Sequence, residues 1–447
     1  MALSQVAAKV EQFLGHNDNA TTAQDITNPA RDRSKYGHPT ETMKALAWMG
    51  KNKVEVIEVP KPIIVEDDDV ILKITGSTVC GSDLHLLHGT IVELEKGDIL
   101  GHEFCGIVDD MGPGVKGLSK GQRVVASFQI ACGACRYCDK KLSSQCERTN
   151  SNKIEKGMYG GNTAGMFGYS HFTGGFAGGQ SEYTRVPYGS VNLLPIPDDV
   201  PDEKALYLSD VIATSWNCVV DTGCKEGDVV AVWGAGPIGQ MAAEFAFLNG
   251  ASRVIVIDSN WRLDYVKSKI PKVETLDFSQ LKGTKAVVWK LKEMTDGMGP
   301  DVALECVAGE YPKGWAHTIE MATGLETDTS EILNEMIESV KNFGRVGITG
   351  VYVGYTNHFN IGSLMERGIR FIGNGQAPVH YYWEDLLQKI QEGGIDPLKM
   401  VTHRVRVEDL AKVYEQFERK ADGMQKVYVE TRFSAPRCEG CPELTVY

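Results

Sequence analysis

Residues 229–239 read Val-Val-Ala-Val-Trp-Gly-Ala-Gly-Pro-Ile-Gly. The run Val229–Trp233 is apolar without interruption, the pattern of a strand buried on both faces. Ile238, Met241, Ala242, Phe245 and Leu248 then recur at helical spacing, and Gly250 is a natural stop. Between them, Gly234, Gly236 and Gly239 form G-x-G-x-x-G, with Pro237 and Ile238 inside the turn. The first glycine of such a turn permits a tight bend. The second lets backbone approach a pyrophosphate, and the third packs helix on strand, while the helix N-terminus attracts the anion. With 48 glycines the bare pattern arises by chance, so context decides. Val254–Ile257 is a second buried strand, which completes a strand–helix–strand unit. Asp258 ends it, 19 residues after Gly239. A carboxylate there accepts hydrogen bonds from ribose hydroxyls and repels a 2′-phosphate, which favours NAD over NADP.

Downstream, Ala286–Val288, Val302–Leu304, Val346–Thr349 and Arg370–Gly373 read as further strands with helical stretches between them. A doubly wound parallel sheet follows. Upstream the chemistry differs. Ala45–Trp48, Val54–Val59, Val70–Thr75, Gly106–Val108 and Arg123–Ala126 are short, β-branched strand cores of a mostly β domain. Residues 1–43 are polar and read as a short helix followed by an extended arm. Nine glycines fall between Gly157 and Gly179, interleaved with Tyr159, Phe167, Tyr169, His171, Phe172 and Phe176. This insertion, 147–180, reads as a long functional loop. Residues 382–447 return to mixed helix and strand. The fold class is therefore α/β: a dinucleotide-binding domain over 210–373 and a mostly β domain from 44–209 and 374–447, preceded by the extension 1–43.

The 447 residues are 42% apolar and 23% charged, with a net charge of −13. An acidic surface repels phosphate backbones, so nucleic acid is excluded as a partner. No apolar run is long enough to span a bilayer. The N-terminus lacks the basic and apolar regions of a secretion signal, which points to the cytoplasm. There, clustered members of the 11 cysteines are metal ligands rather than disulfides.

Cys132, Cys135, Cys138 and Cys146 read C-x2-C-x2-C-x7-C. Four thiolates at this spacing close a tetrahedral zinc shell, which makes the lobe 132–146 structural rather than reactive. A second set has a different character. Cys80-Gly81-Ser82-Asp83-Leu84-His85 and Gly101-His102-Glu103 each follow an apolar strand. Cys80 and His102 suit zinc. A catalytic ion needs a third protein ligand and a vacant position, for which Asp210 is the first candidate, ahead of Cys218 and Cys224.

On these runs, with Leu208-Ser209-Asp210, Gly174-Gly175, the stretch Gly178-Gly179-Gln180-Ser181-Glu182-Tyr183, and Ile395-Asp396-Pro397 to Thr402-His403-Arg404, residues ~44–430 resemble the zinc-dependent medium-chain alcohol dehydrogenases. The resemblance is closest to their glutathione-independent formaldehyde dehydrogenase branch. It implies a GroES-like catalytic domain and two zinc ions per subunit, one catalytic and one structural. It implies hydride transfer between NAD and a primary alcohol or aldehyde (hydrate), with aldehyde dismutation on a retained cofactor as an extension. Cys80, His102 and Asp210 would bind the catalytic zinc, Glu103 being an alternate ligand and Asp83 orienting His102. Ser82 would take the substrate proton and His85 deliver it to solvent. Thr214 and Ile238 would flank the nicotinamide, the insertion would cover the adenine side, and a homodimer or homotetramer is implied. Arg262 lies one position off the family's basic residue. A polyol dehydrogenase would share both zinc-site halves but supply glutamate in place of Asp210. A non-catalytic zinc- and NAD-binding scaffold would have no use for Ser82 and His85. Cys438 and Cys441 fall outside the resemblance and read as a free surface pair, with a redox dithiol or half a metal site as alternatives.

Overall fold

A computed structural model describes residues 33–283, 285–307 and 328–447. Thr214–Ala377 forms one compact unit; the described residues before it, with Pro378–Tyr447, form another.

The first unit is built on a six-stranded, wholly parallel sheet. Its order is Glu274–Asp277, Arg253–Asp258, Val229–Trp233, Val302–Glu305, Arg345–Ile348, Arg370–Gly373. The first strand in sequence lies in the middle, so the winding reverses between Val229–Trp233 and Val302–Glu305. Such a switch point opens a crevice at the carboxyl ends of the strands. The helix Pro237–Leu248 follows the first strand directly. Ala231, Trp233, Ile255, Ile257, Leu291, Met336 and Val346 share one buried cluster.

Two local expectations are corrected here. Ala286–Val288 is not a strand but the start of the helix Ala286–Met294, whose buried residues Val287, Val288 and Leu291 lie on one helical face. Three apolar residues fit either period, and only the continuation to Leu291 separates them. The strand that does occupy that part of the chain is Glu274–Asp277, an edge strand with Leu276 as its only buried residue.

The second unit carries a seven-stranded sheet, ordered Val401–Arg406, Lys426–Glu430, Val70–Ser77, Phe104–Met111, Arg123–Ala126, Leu193–Pro195, with Tyr183–Val186 also on Val70–Ser77. Val70, Leu72, Ile74, Phe104, Val124, Phe167 and Phe176 fill its core. Gly37–Gly50 and Lys53–Pro62 form a separate antiparallel pair. The strand Gly37–Gly50 therefore begins inside the stretch read as an extended arm; the helix expected before it lies outside the described residues. The insertion 147–180 is not a bare loop either. It contains the helix Lys153–Tyr159, capped by the Asn152 side chain, and its later half enters the core. Phe167 stacks edge-on against Phe104 at 5.0 Å, and a Cβ on Gly179 would collide with the Phe104 ring. No helix among the described residues is long and apolar enough to cross a membrane.

Candidate functional site

Val70–Ser77 and Phe104–Met111 are antiparallel neighbours, with Ser77 opposite Phe104. The chain leaves the first strand toward Cys80 and enters the second through His102 and Glu103, so this register brings the two motifs to one end of the sheet. Ser77 Oγ donates to the Glu103 carbonyl at 3.1 Å. Asp210 arrives after the 3-10 turn Leu206–Ser209, which is fixed by Phe128 N–H donating to the Ser209 carbonyl at 3.1 Å. One donor atom from each of Cys80, His102, Glu103 and Asp210 lies within 4.8 Å of the others. Cys218 and Cys224 are not in this group, which corrects their candidacy as third ligand; Cys218 contacts Cys306 instead.

His102 Nε2 stands 3.4 Å from Asp210 Oδ2 and 3.7 Å from Glu103 Oε1. With metal–nitrogen and metal–oxygen bonds of about 2.0–2.1 Å, two corners of a tetrahedron are about 3.3 Å apart. On its other side His102 Nδ1 faces Asp83 Oδ1 at 3.2 Å, and neither atom has a further hydrogen-bond partner. Asp83 Oδ2 accepts from the Cys80 N–H at 2.9 Å and from Gln180 Nε2 at 3.2 Å. One buried carboxylate thus ties the cysteine's backbone to the histidine's ring. Burial disfavours a charged His102, but Asp83, Asp210 and Cys80 outweigh it and hold the imidazole well above its ordinary range. Burial likewise raises the Glu103 carboxyl, while Lys426 opposes that rise. Glu103 Oε1 accepts from Lys426 Nζ at 2.5 Å, whereas Oε2 is buried without a partner. Several acidic groups around one imidazole and a single ammonium form a donor set with an excess of negative charge, which suits a cation. Sulfur, imidazole and carboxylate together suit zinc.

The second cluster is the cysteine lobe. Cys135 Sγ and Cys138 Sγ are 3.4 Å apart, and Cys132 Sγ and Cys138 Sγ 3.9 Å. Zinc–sulfur bonds of about 2.3 Å set tetrahedral corners about 3.8 Å apart. Cys132 N–H donates to Cys146 Sγ at 3.3 Å, and Ala134 N–H to Cys132 Sγ at 3.5 Å. Backbone N–H groups aimed at sulfur stabilise thiolates. Hydrogen bonds to Cys146, the one from Cys138 first, lower its thiol to about 4.

The glycine turn fits a dinucleotide phosphate. Gly234 has φ +102, and a Cβ on Gly239 would sit 1.9 Å from the Gly234 carbonyl oxygen, so neither tolerates a side chain. A Cβ on Gly236 would meet nothing within 4 Å, leaving that side of the turn open to a ligand. Asp258 Oδ2 accepts from Ala235 N–H and Oδ1 from Ser259 N–H, both at 2.7 Å. Each oxygen keeps acceptor capacity for a ribose hydroxyl. Arg262 reaches 3.8 Å from Asp258 and lies over the Trp261 ring. Ser215 Oγ donates to the Ile238 carbonyl at 3.1 Å, next to Thr214 on the helix Val211–Asp221.

Residues 66–198 match the family model described as alcohol dehydrogenase GroES-like domain. A zinc-type alcohol dehydrogenase-like protein of Schizosaccharomyces pombe is 37% identical over 94% of this chain and 97% of its own length. This chain belongs to the zinc-dependent medium-chain alcohol dehydrogenase family. A glutathione-independent formaldehyde dehydrogenase of Pseudomonas aeruginosa is 29% identical over 84% of this chain and 94% of its own. Among solved structures, the alcohol dehydrogenase TADH from Thermus sp. ATN1 superposes with a TM-score of 0.72 at 32% identity, over 87% of this chain and all of that one.

The alcohol dehydrogenase fold also recruits residues that sequence reasoning missed. Lys426 reaches Glu103 because its strand pairs with Val70–Ser77 from more than three hundred residues away. The only sequence signal was a lone lysine opening the apolar alternation Lys-Val-Tyr-Val-Glu. Gln180 links Asp83 to Tyr414, whose hydroxyl donates to Gln180 Oε1 at 2.8 Å. Tyr169, from the insertion, stands edge-on to His102 at 5.7 Å, and its hydroxyl contacts Ser82. Ser82 and His85 share the helix Gly81–Leu87. Three residues apart, they lie on one face. His85 is buried rather than a surface histidine.

Proposed function

We propose that this dehydrogenase oxidises primary alcohols or aldehyde hydrates, and reduces aldehydes, with NAD and a catalytic zinc held by Cys80, His102 and Asp210. The observation that carries the reading is the convergence of these donors with Glu103 within 4.8 Å. Zinc bound there supplies Lewis acidity toward the substrate oxygen. Around it, Asp83 fixes the His102 ring so that Nε2 is presented as donor, and Lys426 holds Glu103 beside the centre as an alternate ligand. Ser82 Oγ accepts the substrate hydroxyl proton, and His85, on the same helical face, carries it away. Cys132, Cys135, Cys138 and Cys146 hold a second, structural zinc. In the other unit, Gly234, Gly236, Pro237, Ile238 and Gly239 cradle the NAD pyrophosphate, Asp258 receives the adenosine ribose, and Thr214 borders the nicotinamide.

Formaldehyde is the aldehyde named for the Pseudomonas aeruginosa relative, and Asp210 as third ligand and the packed insertion 147–180 favour a small aldehyde here. We extend the reading to dismutation: a retained NAD lets one aldehyde be oxidised and a second reduced in turn. Segments 44–209 and 374–447 act as the catalytic domain and 210–373 as the dinucleotide-binding domain, in a cytoplasmic homodimer or homotetramer. The test is metal analysis together with a panel of primary alcohols and aldehydes followed at the NADH absorbance. Turnover of small primary substrates by the zinc-loaded protein is expected. A zinc-loaded protein inert toward the whole panel overturns the reading. Formaldehyde consumed without added NAD supports dismutation, and an absolute need for added NAD at every turnover removes it.

A further inference from the structure

The expectation that Cys438 and Cys441 form a surface pair does not hold. Cys441 is 2% exposed, whereas Cys438 is half-buried among exposed neighbours. The sequence Cys438-Glu439-Gly440-Cys441 folds as a turn, closed by Cys441 N–H donating to the Cys438 carbonyl at 3.3 Å. Gly440 takes φ +84 within it. A turn of this kind brings its first and last Cα within about 7 Å, and a disulfide spans Cα separations of about 4.4–6.8 Å. The two thiols are in hydrogen-bond contact, and all described cysteines are free.

The surroundings of the pair are asymmetric. Arg404 Nη1 donates to Cys441 Sγ at 3.9 Å and to Glu203 Oε1 at 2.6 Å. The Cys438 N–H donates to the same Glu203 oxygen at 3.1 Å. A guanidinium therefore stands at the inner sulfur and a carboxylate beside the outer residue. The hydrogen bond from Cys438, and then Arg404, lower the Cys441 thiol, while Cys441 raises that of Cys438. No third metal-donor side chain joins the pair among the described residues, where only the two clusters already described gather three or more.

We propose that Cys438 and Cys441 are a thiol–disulfide exchange site that takes a low-molecular-weight disulfide as its oxidant. Cys438, the accessible thiol, loses its proton to solvent, and its thiolate attacks one sulfur of the external disulfide. The external S–S bond breaks, a mixed disulfide forms on Cys438, and the first small thiolate leaves and takes up a proton. Cys441, held as thiolate by Arg404, then attacks Cys438 Sγ and expels the second small thiolate, which takes up a proton. Two protein thiols are oxidised and one external disulfide is reduced to two thiols. The accessible sulfur makes the first attack and the buried one resolves it.

The test equilibrates the full-length, zinc-loaded protein in buffers of stepped reduced to oxidised glutathione. Free thiols are then alkylated, and the tryptic peptide Cys438–Tyr447 is weighed. The expected result is a reversible passage from the doubly alkylated peptide to one that has lost two hydrogens and carries no label, restored by dithiothreitol. Peptides from the lobe 132–146 keep their reduced form as an internal reference. Cys441→Ser is expected to accumulate a glutathione adduct on Cys438 that the wild type resolves. A wild-type peptide that stays doubly alkylated at every ratio overturns the proposal, and so does one that stops at the glutathione adduct. The wild-type titration decides by itself, whether or not the variant folds.

Discussion

Lys426 Nζ donates to Glu103 Oε1 across 2.5 Å, and both side chains are only 1% exposed. A buried ion pair is weak evidence for stability as such, but breaking one partner leaves an uncompensated charge, at a cost of about 3–5 kcal/mol. Lys426→Met should therefore lower stability by about that amount, read from urea unfolding of the purified protein. Glu103→Gln added to Lys426→Met should recover much of the loss. A Lys426→Met midpoint equal to wild type would show that the carboxylate does not depend on this ammonium.

Asp83 touches His102 Nδ1 and the Cys80 N–H at once. Asp83→Asn keeps the shape but loses the anion that fixes the ring. Losses of this kind weaken metal affinity by roughly 10–100-fold. Chelator competition on the variant should show that drop at one zinc only, with the cysteine lobe unaffected. Equal loss at both clusters would indicate general unfolding instead.

Asp258 accepts N–H donors from both Ala235 and Ser259, so it shapes the glycine turn as well as serving the proposed ribose contact. Hydrogen bonds to charged groups are worth about 1.5–3 kcal/mol. Asp258→Gly should raise KM for NAD roughly tenfold or more and narrow the preference over NADP. Steady-state kinetics with both cofactors checks this; a wild type that uses both equally would refute the role of the carboxylate.

The pH dependence of stability has one clear local source. Asp109 accepts from Lys61 at 2.7 Å and from Lys73 at 2.6 Å. Burial raises its carboxyl, but these two lysines outweigh burial and hold it below its ordinary value of 3.8. A carboxyl lowered on folding contributes stability that is present above its unfolded value and lost as pH falls through the folded one. Asp109→Asn should thus cost about 1 kcal/mol at neutral pH, and nothing once the pH lies below the lowered value. Parallel denaturation curves across acid pH measure the difference; a gap that persists at the acid end contradicts the assignment.

The doubly wound sheet was legible because Val229–Trp233, Gly234–Gly239 and Val254–Ile257 carry local signals of strand, turn and strand in register. The four-cysteine lobe was legible for the same reason, since its ligands are close in sequence. Glu274–Asp277 was not, because an edge strand with one buried residue has no apolar period to read. Lys426 and Tyr169 were hidden for another reason: sheet pairing and core packing bring them to the site, and those are long-range facts. The Cys438–Cys441 turn shows the same limit. Its spacing was visible, but the burial of Cys441 under Arg404 and Glu203 was not.

The central claim is that Cys80, His102 and Asp210 hold the metal on which the reaction depends. Its most direct test is zinc content and NADH-linked turnover of wild type beside Asp210→Asn and Cys80→Ser. The account predicts that both variants keep the zinc of the cysteine lobe, lose the other ion and lose turnover together. A Cys80→Ser protein with full zinc content and undiminished turnover would contradict it.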